Sequence, residues 1–219
     1  INMMDNGKID ESIVLLKECL ELDPKNFTYS YEMAYAYYIK EDYKESIRIL
    51  ESIMNHKDVT DQLFQLLGNA YDVINESNKA LEVYDKGLKK FPKSGRLYLE
   101  KGNVFWGKQK YEEALPFYEK GIEIDPSFPS NYYRATLIYC GSSESVWGII
   151  YGEIFMNLER NSKRTREISK LLYSTYKKNI TISEENTKIE FCDVIIRAEN
   201  LINKNEIKLP FCAIFGKVF

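Results

Sequence analysis

The chain has 219 residues, of which 44% are apolar and 29% charged, and a formal net charge of -3. That balance is typical of a globular protein and gives no global basic bias toward nucleic acid. One histidine and four widely spaced cysteines (Cys19, Cys140, Cys192 and Cys212, with no CxxC) exclude a zinc-finger or redox motif, and no run reaches the roughly 18 apolar residues of a membrane helix.

Residues 1–26 read as the back part of a repeat, because Ser12 and Leu16 lie one repeat length before Ser46 and Leu50. In that register the chain begins partway through a first helix, with Met3 opposite Tyr37. The expectation is that the natural protein starts earlier, with room for a leader in the missing piece.

Residues 27–60 form a more divergent unit, with Met33-Ala34 and Ser46 at close helix crossings and Asp58 at the terminal turn. Asp42 to Ser46 marks a turn and helix start, and Tyr43, Ile47 and Leu50 have the 3.6-residue spacing of the second helix. Residues 61–94 are the best copy. A helix is predicted over 61–74 with Asp61 as its cap. Gly68, lacking a Cβ, lets Tyr84 lie against it, and Phe91-Pro92 ends the second helix. Residues 95–128 repeat the pattern with Gly102, Phe105, Ala114, Tyr118 and Pro126, although Lys101 stands where Leu67 stood and Pro116 sits one turn into a helix.

Beyond residue 128 the pattern fades into divergent helices over 129–179. Tyr132 and Tyr139 keep the register, and the glycines of Gly148-Ile-Ile-Tyr-Gly152 mark tight helix packing. Asn161-Ser162 caps a helix over 163–178 with Ile168, Leu171, Leu172 and Tyr176 on one face. In the piece over 180–219, Ile180-Thr-Ile-Ser and Lys188-Ile-Glu-Phe alternate around a turn-like Glu184-Glu-Asn, a hairpin pattern. A short helix is expected over 195–202. Another apolar stripe, with Phe211, Ile214, Phe215 and Val218, runs to the last residue and implies truncation there too.

Adding 34 to Gly68, Tyr71, Ala80, Tyr84, Gly87 or Pro92 finds a matching residue each time. That period, and the order Leu67-Gly68, Tyr71, Ala80, Tyr84, Pro92, resemble the tetratricopeptide repeat. The resemblance covers about residues 1–128, fading to about 159. It implies an all-α fold, an α-α superhelix, to which the residues beyond it add a divergent helical extension and a small, β-containing C-terminal piece.

The resemblance also implies that the first helix of each repeat lines a groove for a segment of a partner protein. Its positions are Tyr31, Tyr35 and Tyr38 in one repeat and Gln65, Asn69 and Asp72 in the next. Arg96, Leu99, Asn103 and Trp106 follow, and then Tyr133. Asn69 and Asn103 offer amides to a peptide backbone, the aromatics offer rigid contact area, and Arg96 offers a fork for a carboxylate. A chaperone-tail clamp would need more cations than Arg96 alone.

A second feature is the basic run Arg160, Lys163, Arg164, Arg166, Lys170, Lys177 and Lys178, set against Glu159 and Glu167. A solvated face is its ordinary reading. No nucleophile elbow, P-loop, HExxH or Cys/His pairing is present, so no catalytic residue, metal or cofactor is assigned.

The reading is a non-catalytic protein- or peptide-binding scaffold with no nucleic-acid partner, cytoplasmic, and open to homo-oligomerisation. Its first alternative is a regulatory or sensor subunit whose basic helix over 160–178 meets nucleic acid or an anionic ligand. Its second is the non-catalytic part of a larger, truncated enzyme. The Lys-, Asn- and Ile-rich usage points to an AT-rich bacterial genome.

Overall fold

The computed structural model describes residues 7–182 and 187–189. The chain divides into two compact units, Ile1–Asp125 and Pro126–Phe219.

In the first unit the helices are α1 (Ile9–Leu22), α2 (Phe27–Ile39), α3 (Tyr43–Ile53), α4 (Asp61–Val73), α5 (Ser77–Lys90), α6 (Gly95–Gly107) and α7 (Tyr111–Ile124). Each packs on the next, and α2 touches α4 as α4 touches α6, so the first helices of successive repeats form a layer of their own.

The turn inside each repeat is built the same way three times. Glu41, Asn75 and Gln109, 34 residues apart, take left-handed backbone with φ of 65°, 64° and 58°. The N–H of the following residue donates back into the helix, Asp42 to Tyr37, Glu76 to Tyr71 and Lys110 to Phe105, at 2.9–3.0 Å. These are Schellman-type closures, which satisfy carbonyls that a helix end otherwise leaves bare. They were not legible from glycine, since none stands at those positions.

The repeat core follows from absent side chains. A Cβ on Gly68 would fall closer than 3.0 Å to the Tyr84 ring, and one on Gly102 would meet Tyr118 likewise. The two tyrosines are sealed at 1% and 0% exposure. Ala80 and Ala114 are fully buried, and Ser46, at the same position one repeat earlier, is equally buried with a hydroxyl that has no hydrogen-bond partner.

Several local expectations change. Asp61 is the first residue of α4, not its cap: Thr60 precedes it without a side-chain bond, and the Asp61 carboxylate accepts from Ser94 Oγ at 2.6 Å. Lys101 replaces a packing leucine by lying along the neighbouring helices. Its ammonium reaches Asp85 Oδ1 at 2.6 Å and sits 5.0 Å from the centre of the Phe117 ring, so the stem packs while the charge stays paired. Pro116 is exposed and α7 runs through it to Ile124.

In the second unit α8 (Pro129–Cys140), α9 (Ser145–Leu158) and α10 (Lys163–Asn179) pack against one another. The two glycines of α9 act as expected: a Cβ at Gly148 would meet the Cys140 backbone N at 2.6 Å, and one at Gly152 would meet Leu172 at 2.8 Å. Trp147 stacks on Tyr151 within α9. Ser162 caps α10 in a reciprocal box with Thr165. The hairpin pairs β1 (Ile180–Ile182) with β2 (Thr187–Ile189), antiparallel, with Thr181 opposite Lys188. The expectations for Met3, for the helix over 195–202, for Cys192 and Cys212 and for the stripe from Phe211 to Val218 lie outside the described residues.

Candidate functional site

Of the residues assigned to the groove, all but Tyr133 lie on α2, α4 and α6, and a continuous hydrogen-bond chain joins α4 to α6. Arg96 Nη1 donates to Gln65 Oε1 at 3.0 Å, and Gln65 Nε2 donates to Glu100 Oε1 at 2.6 Å. Asn103 Nδ2 donates to the other Glu100 oxygen at 2.9 Å. Arg96 also lies 3.9 Å from the Asp61 carboxylate. Asp72 accepts from Ser77 Oγ at 2.7 Å.

The α2 tyrosines share this electrostatic environment. Burial raises Tyr31 to about 12, with Glu32 adding to the effect and Arg96 opposing it. Burial also raises Tyr38, with smaller contributions from Tyr43, Glu100, Tyr35 and Asp72. Both phenols therefore stay protonated at neutral pH and remain hydrogen-bond donors. Beside them stand apolar side chains left open: Tyr35 is 41% exposed, Ile39 36% and Val73 48%.

The asparagines do something the sequence reading missed. Asn69 Oδ1 accepts from Tyr84 Oη at 2.6 Å, and Asn103 Oδ1 accepts from Tyr118 Oη at 3.1 Å. Each amide thus holds the buried tyrosine of the second helix, and the Asn103 N–H is further engaged with Glu100. The amides are first of all internal ties, leaving less of their capacity for a ligand than a free amide offers.

Glu100 was also missed. Its signal was a carboxylate at the register of buried Leu66. Leu99, assigned to the groove, is only 9% exposed and packs inward. Trp106 is half-buried with its ring edge-on to Tyr111 at 4.9 Å. Tyr133 belongs to the second unit, where its hydroxyl donates to Glu167 at 2.7 Å and its ring lies under the Arg164 guanidinium.

The basic helix is less uniform than its sequence. Arg164 is bound to Glu159 through two nitrogens, donates to Ser130 Oγ at 3.0 Å and covers Phe155. That partner holds the Glu159 carboxyl below its ordinary value. Arg164 is a structural bolt. Lys163, Arg166 and Lys170 line a shallow open depression together with Glu167, Leu171 and Ser174.

Among the described residues no cluster of three His, Cys, Asp or Glu could hold a metal ion, and no helix is long and apolar enough to cross a membrane.

The tetratricopeptide-repeat family profile matches residues 95–128 and residues 4–26. Among curated relatives, the small glutamine-rich tetratricopeptide repeat-containing protein 2 of Mycosarcoma maydis is 33% identical over 58 residues, 26% of this chain and 16% of its own length. The chain spans 16–28% of the length of the curated relatives it matches. Among solved structures, MamA superposes with a TM-score of 0.56 at 20% identity, over 77% of this chain and 95% of that one. YrrB, described as a tetratricopeptide-repeat protein with an unusual peptide-binding site, gives 0.50 at 18% identity, over 77% and 87%. These likenesses establish the solenoid fold, and the family profile places tetratricopeptide repeats within it at residues 4–26 and 95–128.

Proposed function

We propose that this protein is a non-catalytic interaction scaffold that receives a segment of a partner protein on the face made by α2, α4 and α6. The observation that carries the reading is the row of open apolar side chains, Tyr35, Ile39 and Val73, beside a polar chain that is already internally satisfied. Fixed polar groups with exposed aromatic and aliphatic neighbours are pre-organised for binding, because little has to be ordered when the partner arrives. The peptide-binding site named for YrrB is a parallel on the same fold.

The test uses changes that spare the Asn–Tyr ties. Val73→Ser and Tyr35→Ala alter exposed side chains only. Affinity capture from the source organism should lose its specific partner with the double variant while the circular dichroism melt stays within a few degrees of the parent. If capture is unchanged by that pair and is lost when Lys163, Arg166 and Lys170 become Gln, the regulatory reading through the basic helix replaces this one.

A further inference from the structure

The proposed face has a sign. Carboxylates reach it from each of its helices, Glu32 on α2, Asp61 and Asp72 on α4 and Glu100 on α6. Against them stands Arg96, whose guanidinium is directed to Asp61 and Gln65. Glu100 is held by two neutral amides, Gln65 and Asn103, which fix its orientation and leave its charge uncompensated. Asp72 is held by the Ser77 hydroxyl, also neutral.

Among the described residues neither Glu100 nor Asp72 has a cation within 4.0 Å, whereas the nearby Asp61 has Arg96 at 3.9 Å. The acidic charge also extends onto the aromatic strip, since both Glu100 and Asp72 act on the Tyr38 hydroxyl. A negative field beside open tyrosine rings favours an ammonium or guanidinium twice over, through the carboxylates and through the ring faces.

We infer that this face takes an extended basic peptide, whose Lys or Arg side chains meet Glu100 and Asp72 while its apolar side chains cover Tyr35, Ile39 and Val73. The inference rests on the proposed function above and adds the chemistry of the partner. It runs opposite to a carboxylate clamp: an acidic chain terminus would find Arg96 already engaged and two uncompensated carboxylates close by.

The test is fluorescence anisotropy on the full chain with three labelled ten-residue peptides of identical apolar residues. Their variable positions carry Lys and Arg, Gln, or Glu. The basic peptide should bind at least ten-fold tighter than the acidic one at 50 mM salt, and the difference should shrink at 300 mM. Glu100→Gln and, separately, Asp72→Asn should each weaken the basic peptide about two- to five-fold, the scale of an exposed ion pair, and leave the Gln peptide unchanged. Asp72→Asn keeps the acceptor for Ser77, so it still reports if Glu100→Gln disturbs the amide chain. Binding of the Gln or Glu peptide as tightly as the basic one, abolished by the Val73→Ser and Tyr35→Ala pair, would overturn the charge assignment and leave the binding face standing. Binding of none of the three would overturn both.

Discussion

Ser46 and Gly68 show how a single position can sit off or on its optimum. Ser46 is completely buried and its hydroxyl has no partner, at a register that is alanine in both following repeats. An unsatisfied buried hydroxyl costs about 1–3 kcal/mol. Ser46→Ala should therefore raise stability by about 1 kcal/mol, seen as a higher denaturant midpoint with the slope unchanged. Gly68→Ala should do the reverse, losing about 1–3 kcal/mol, because a new Cβ drives into the Tyr84 ring. The same scale explains why the asparagines are poor probes of binding. Asn69→Ala would orphan the hydroxyl of Tyr84, so lost partner capture in that variant would mix unfolding with lost contacts.

Helix ends carry the next scale. The three left-handed turn residues are Glu41, Asn75 and Gln109, and asparagine alone among these tolerates that backbone well. Gln109→Gly and Glu41→Gly should each stabilise the first unit by up to about 1 kcal/mol, while Asn75→Gly should be near neutral. Urea titrations of the three variants would order them, and equal effects at all three sites would mean the turn conformation is not the cause.

Elements differed in how openly the sequence announced them. Helix positions, Gly–Tyr contacts and the cap at Ser162 were legible because sterics and capping act through local spacing. Asp61 was misread and the role of Lys101 went unread, because both depend on partners over ten residues away, Ser94 and Asp85. Glu100 escaped for a related reason. Its importance lies in the amides that hold it from a neighbouring helix and its own, and no single-repeat pattern encodes that pairing.

On the scale of the whole chain, the second unit carries an acid-sensitive tie. In the second unit Glu159 is partly buried against Arg164, with its carboxyl held down from an ordinary 4.5 mainly by that partner. A depressed carboxylate contributes stability fully above its unfolded value and loses it as pH falls through the lower folded value. The stability of the second unit should therefore fall as pH drops through and below the ordinary carboxylate range, and Glu159→Gln should be less stable at neutral pH with a flatter profile there. Melts recorded at several pH values check this; a parallel profile in the variant would assign the acid sensitivity to other carboxylates.

Those melts can be resolved unit by unit because of where the two indoles fall. The sequence has two tryptophans, and they are divided: Trp106 lies in α6 of the first unit and Trp147 in α9 of the second. Replacing either with phenylalanine leaves a single emitter. Its emission maximum then follows one unit alone, and Trp106, on the face assigned to the partner, becomes a label-free optical sensor of occupancy.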